Sequence, residues 1–477
     1  MLRHLAPFTT SAVAALALSL ATPRTTHAGA FYLPERGGRA LSLGGAFIAG
    51  VDDLNAQWLN PAGLTRLSKN LSLYLDFGLI FSDQRFLRAD SEEVRRKDPT
   101  LPNGFTEVSD EGGPFPDPSL GIATNFGLED WVFALGVYGP YAGTNKWPED
   151  GPQRYSIINL QALELFVQLS AAWRPNDHIA VGVGLQWVTT GVKQRLKISS
   201  YPGVFGWNEQ RDLDVLAEVD VTDPFSLSGN LGVIITPTAK DAPLGLDIGL
   251  SAQLPVSADA SGQLRLQKPG HYYFSTTEIE GDKIEVSLDF PLILRAGVRL
   301  YDPNLWSVEL AAVFEGWSAL DKIAVSPGEG GIAFVGVPGI GRYEVEPFDL
   351  DASYEDVFSA RLGASFAPGR GPLTLRLGTF FETGAPPSRT LSVLDIDGNK
   401  IGVTLGGTFA VGAFQFDLAA AWIETFEQTV SDSSKAQVNP IYLADPQPYD
   451  ETGPSTIGNG TYSARNFILA TTISAGF

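Results

Sequence analysis

Residues 292–315 read LILRAGVRLYDPNLWSVELAAVFE, and their pattern decides the fold class. Leu292, Leu294, Ala296 and Val298 alternate with Arg295, Gly297 and Arg299. The turn-forming run Asp302-Pro303-Asn304 interrupts the pattern. Beyond it Trp306, Val308, Leu310, Ala312 and Phe314 alternate with Ser307, Glu309, Ala311 and Glu315. Successive side chains of a strand point to opposite faces, so each run has one apolar face and one polar face. Together they predict a hairpin.

The same alternation recurs along the chain. It predicts strands near 71–82, 118–127, 131–141, 155–174, 178–198, 213–235, 246–266, 284–300, 306–320, 357–367, 373–381, 401–410, 414–426 and 464–477. Tight turns (Pro175-Asn176-Asp177, Asp302-Pro303-Asn304, Val411-Gly412) alternate with long loops such as 83–117 and 321–356. A soluble sandwich has turns of similar length at both ends. One short end and one long end instead predict an all-β, antiparallel transmembrane barrel of about fourteen strands. Its apolar faces meet lipid, and closure leaves no unpaired edge. In the last segment Phe467, Leu469, Thr471, Ile473, Ala475 and Phe477 share one face.

Composition agrees. Arg3, the apolar run 12–21 and Thr26-His27-Ala28 read as a secretory leader, residues 1–28. No apolar run reaches the ~20 residues a membrane helix needs. Losing Arg3 and Arg24 takes the formal charge from −21 to −23, which argues against nucleic acid. Cysteine is absent, and only His178 and His271 lie beyond the leader. No nucleophile–base set, phosphate loop or metal-spaced cluster occurs, so neither an enzyme nor a cofactor is expected.

Residues 31–67 (FYLPERGGRALSLGGAFIAGVDDLNAQWLNPAGLTRL) break the alternation. Gly37, Gly38, Gly44, Gly45 and Gly50 would each weaken a helix by ~1 kcal/mol. Yet Leu41, Phe47, Ile48, Val51 and Trp58 are too apolar for a solvated tail. A compact, partly helical segment buried inside something larger satisfies both facts. The division is then leader 1–28, hatch 29–67 and barrel 68–477.

The passage from the leader through Gly44-Gly45-Ala46 and Asp52-Asp53 to Asn60-Pro61-Ala62 resembles the N-terminal hatch of the FadL family. Val132–Gly143 (VFALGVYGPYAG) is similar too, and the likeness covers nearly all of the chain beyond the leader. The resemblance implies an outer-membrane transporter of long-chain fatty acids or other hydrophobic molecules. It implies capture at an apolar groove among outer loops, an interior pocket beside the N-terminus, and sideways exit at a kink in the third strand.

Phe31, Tyr32, Phe47, Ile48 and Trp58 are candidates for ligand contact, or for packing between hatch and wall. Arg295, Arg299 and Arg376 alternate with lipid-facing positions and so point into the lumen. There each pairs either with a ligand carboxylate or with acids such as Glu309 or Asp52. Gly136, Gly139 and Pro140 mark a bulge in the third strand, or Gly139-Pro140 simply opens the outer loop. Glu344, Glu346, Asp349, Asp351, Glu355 and Asp356 form an acidic loop that either bridges divalent cations to lipopolysaccharide or is merely solvated. The expected partners are a hydrophobic ligand, outer-membrane lipid and lipopolysaccharide, and the barrel-assembly machinery through the strand ending in Phe477. A monomer is expected. Two other outer-membrane roles fit the same barrel: a general or substrate-specific porin, and a structural or adhesive protein.

Overall fold

The computed structural model of the chain describes residues 36–67, 70–90, 98, 101, 103–202, 205–240, 242–369, 371–439 and 455–477. Among them fourteen antiparallel strands close into a barrel. They are β1 (Leu71–Arg88), β2 (Phe115–Thr124), β3 (Trp131–Tyr138, continued as Ala142–Lys146), β4 (Asn159–Asn176) and β5 (Ile179–Ser199). Next come β6 (Asp214–Ile235), β7 (Gly245–Gln253 and Val256–Gln267), β8 (Lys283–Phe290 and Ile293–Asp302) and β9 (Trp306–Glu315 and Lys322–Pro327). The wall ends with β10 (Phe348–Asp351 and Val357–Phe366), β11 (Leu373–Glu382), β12 (Lys400–Val411), β13 (Phe414–Val430) and β14 (Gly460–Gly476). β14 pairs with β1 from Ser72↔Gly476 to Arg88↔Gly460, and Leu71 and Phe477 exchange main-chain hydrogen bonds at the end of that seam.

The faces follow the sequence pattern. Leu310, Val298, Leu294 and Leu418 are exposed to the bilayer, while Arg295, Glu309, Asp417 and Thr472 are buried inside. Several stretches expected as loop are sheet instead, among them residues 83–88 at the end of β1 and Ala142–Lys146 at the end of β3. β2 starts at Phe115, while Lys322–Pro327 and Phe348–Asp351 extend β9 and β10 outward. Each strand piece gains a ladder partner, which offsets its loss of loop entropy.

The apolar face changes sides partway up several strands. On β5 Val181, Val183, Leu185 and Trp187 face outward into lipid. Further along, Lys193 and Arg195 face outward, while Val192, Leu196 and Ile198 face inward. Trp187 and Phe225, with ring centroids 5.6 Å apart, mark the crossover. Above them the wall behaves as a soluble barrel with its own apolar interior.

Residues 36–67 fill the lumen at the other end. Asp52 aside, every residue from 36 to 65 is buried. Helices α1 (Gly38–Ser42) and α2 (Ala56–Leu59) and the 3-10 turn Pro61–Arg66 are each too short to stand alone. Gly44 and Gly45 take positive φ between α1 and the following turn, which lets the chain double back within the barrel.

Candidate ligand chamber, hatch seat and wall break

The hatch is seated by polar groups. Glu309 accepts hydrogen bonds from three consecutive hatch amides, Ile48 at 2.6 Å, Ala49 at 2.7 Å and Gly50 at 2.8 Å. Arg39 pairs with Asp52 at 2.7 Å and with Asp417 of β13 at 3.4 Å. Arg66 reaches Asp247 at 2.9 Å. Asn60 caps the 3-10 turn by accepting from Ala62 N, and its amide donates to Ile48 O and Val233 O. Pro61 pre-sets the first residue of that turn. The wall is bare where the hatch touches it. A Cβ on Gly182 would lie 2.3 Å from the Pro61 carbonyl carbon, and one on Gly378 2.2 Å from that of Leu43.

Above the hatch lies an apolar chamber of about 290 Å3. Its walls include the inward residues Val192, Leu196, Ala217, Val219, Ile284 and Val286. At one side of it Lys435 donates to the main-chain oxygen of Asp351. Burial pulls the Lys435 ammonium below the usual lysine range, partly opposed by the Asp351 charge. Tyr354 donates to Asp395 at 3.2 Å on the same side. Toward the hatch the chamber ends on Tyr141 and Phe290, with ring centroids 4.8 Å apart. Phe166, Tyr138 and Trp58 continue this aromatic column downward at 5.6–6.4 Å spacings.

Beside the column the wall is interrupted. β3 pairs with β4 as far as Tyr138↔Phe166 and resumes at Ala142↔Leu163. Gly139, Pro140 and Tyr141 therefore oppose only Glu164 and Leu165, which is a bulge. The β2–β3 ladder ends at Leu120↔Val137, although residues 115–119 of β2 stay paired with β1. At the rim the segment preceding β2 meets β3, where Glu111 N donates to Lys146 O at 2.6 Å. The lipid-facing residues Phe77 and Leu79 flank this break on one side, Leu163 and Leu165 on the other. Arg36 fills it from within, donating to Gly139 O and pairing with Asp117.

The structure distributes the residues singled out by sequence among the seat, the aromatic column, the break and a polar vestibule. Phe31 and Tyr32 lie outside the described residues. Phe47 and Ile48 pack in the seat. Trp58 lies in the aromatic column with Arg295 over its ring at 4.8 Å. Arg299 faces Asp247 at 3.7 Å, and Arg376 faces Asp417 at 3.6 Å. Arg299, Arg376, Arg39 and Asp52 line a polar vestibule of about 350 Å3 beneath the hatch, away from the chamber. Gly136 remains laddered to both neighbours, whereas Gly139 and Pro140 lie in the break. In the acidic loop, Asp349 pairs with Lys322 at 2.7 Å and Glu344 with Arg342 at 3.1 Å. Among the described residues no group of three or more acids and histidines could hold a metal ion. Sequence reasoning missed Lys435, which carries no local signal. It also missed Pro116 and Pro118, whose spacing of two in a strand was readable.

A closed transmembrane barrel with an occupied lumen and an apolar inner chamber defines an outer-membrane channel for hydrophobic compounds. The family model described as outer membrane protein transport protein (OMPP1/FadL/TodX) matches residues 19–456, and the chain belongs to that family. The family is one of transport channels, not enzymes, and its place is the Gram-negative outer membrane. A Pseudomonas aeruginosa FadL homologue superposes with a TM-score of 0.75 at 14% identity, over 94% of this chain and 100% of that one. The CymD monoaromatic hydrocarbon channel gives 0.62 at 17% identity, over 94% and 99%. The P. putida toluene transporter TodX gives 0.62 at 16%, over 93% and 99%. No curated protein matches the chain significantly.

Proposed function

We propose that the chain takes up long-chain amphiphiles such as fatty acids, holding the tail in the apolar chamber and the head group beside Lys435. The observation that carries this reading is the chamber itself. At about 290 Å3 it is large for a single ring. A cavity of about 150 Å3 already holds benzene. Each Å2 of ligand surface moved from water to such a wall gains about 25 cal/mol, and a half-buried lysine supplies a charge-assisted partner for a carboxylate. Release is sideways through the break at Gly139 and Pro140, which adjoins the chamber at Tyr141 and Leu163. The aromatic column between chamber and hatch is the barrier the ligand displaces.

The remaining assignments belong to the same reading: a leader over 1–28, a hatch over 29–67, a monomer in lipid and lipopolysaccharide, and assembly through the last strand. Mass spectrometry of lipid extracted from the purified barrel tests the ligand class. Long-chain acids, reduced about fivefold in Lys435→Ala, support it. Aromatic hydrocarbons retained equally by wild type and Lys435→Ala would replace the amphiphile with a headless ligand.

A further inference from the structure

The break between β2 and β3 is written into β2 itself. Continuing the register Leu120↔Val137 by two residues would set Pro118 against Gly139, and by four would set Pro116 against Tyr141. Pro118 and Pro116 are nevertheless laddered to Phe77 and Leu79 of β1. Proline has no N–H, so it fits an intact ladder only where its nitrogen points away from the partner strand. The nitrogens of Pro116 and Pro118 therefore point toward β3, the side where the ladder is missing. In a continuous wall the Gly139 carbonyl would accept from the main-chain N–H of residue 118. That donor does not exist, and the Arg36 guanidinium donates to Gly139 O in its place while pairing with Asp117 between the two prolines.

We propose that Pro116 and Pro118 keep this seam from zipping, and that Arg36 is a removable stand-in for the missing N–H, closing the break until the hatch shifts. The proposal rests on the sideways release proposed above. It accounts for an interruption at lipid depth, where unpaired backbone is costly. An edge of prolines exposes no unsatisfied N–H groups, and the carbonyl opposite is met by a side chain that can withdraw.

The test uses the full-length protein in phosphatidylcholine vesicles that carry a bilayer-confined quencher. It is loaded with a pyrene-labelled long-chain fatty acid. In Pro116→Val/Pro118→Val the restored amides should become protected in hydrogen exchange. Transfer of the probe into the bilayer should slow about tenfold or more, with binding at the chamber unaltered, as two added hydrogen bonds imply. Pro118→Val alone should reproduce most of the effect in a milder variant. Arg36→Ala/Asp117→Asn, which removes both charges of the pair together, should speed transfer by about the same factor. Unprotected valine amides, or protected amides with wild-type transfer, overturn the proposal. Wild-type probe that reaches water without meeting the quencher sinks the sideways reading itself.

Discussion

The hatch seat and the outer chamber occupy one lumen but are built on opposite principles. In the seat, Glu309, Asp417, Asp247 and Asn60 hold the hatch through directional hydrogen bonds, and wall glycines allow backbone contact. In the chamber, aliphatic side chains leave room and specify almost nothing beyond volume. Directional polar contacts fix one occupant in one pose. Apolar walls accept any occupant of suitable size, since the hydrophobic effect scales with area and not with orientation. The seat thus specifies one resident segment, whereas the chamber specifies little beyond apolar volume.

The largest effect expected from breaking this contrast is removal of the resident segment. Deleting residues 31–58 should leave a heat-modifiable barrel, because the wall ladders close without them. Single-channel conductance should rise from a closed level to a steady pore. Unchanged conductance would mean the hatch does not occlude the lumen.

Filling the chamber comes next. Val219→Trp places a large ring where the half-buried Val219 lines the cavity. Copurifying lipid should fall about tenfold or more while the thermal midpoint barely moves, because the ring enters space and not packed core. A large drop in the midpoint would show that the chamber wall is structural packing.

Seat variants should act in the reverse sense, on hatch order before ligand content. Glu309→Gln removes the charge from three hydrogen bonds and should loosen the hatch by about 1.5–3 kcal/mol. Gly378→Ala forces a Cβ against Leu43 and should cost about 1–3 kcal/mol. Faster hydrogen exchange at Ile48, Ala49 and Gly50 is the readout for both.

The smallest effect belongs to Lys435. Lys435→Ala should weaken binding of a long-chain carboxylate about fivefold, near 1 kcal/mol, and leave a matching alkane unaffected. Burial lowers the lysine pKa, so its charge is lost at a lower pH than for a free lysine. Carboxylate affinity should therefore decline as pH rises toward the ordinary lysine value, and Lys435→Arg should remove that decline.

Much of the barrel was legible because lipid imposes a period of two on every strand and short turns on one end. Leu310 and Glu309 declare their faces without help from any other strand. The hatch was legible as an interruption, and Asn60-Pro61-Ala62 as its stop. The chamber was not. Above Trp187 the apolar set moves to the other face, and a scan for alternation sees Val192, Leu196 and Ile198 without learning that inside and outside have exchanged. Lys435 approaches Asp351 only through a fold that brings distant loops together. Pro116 read as loop and Pro118 as the start of a strand, although their even spacing carried the orientation of both nitrogens once the strand begins at Phe115.

The seam between β1 and β14 bears on the order of assembly. Glu309, Asp417 and Gly378 lie on β9, β13 and β11, so the seat is incomplete until the late strands exist. The hatch is joined to β1, one margin of the sheet, and β14 is the other. While those margins stand apart, the curling sheet is an open trough and the hatch can be laid in from the side. Once they join, the only remaining way in is lengthwise, past the vestibule. Enclosure and closure are then one event, and a barrel that shuts early would trap its own N-terminal segment outside.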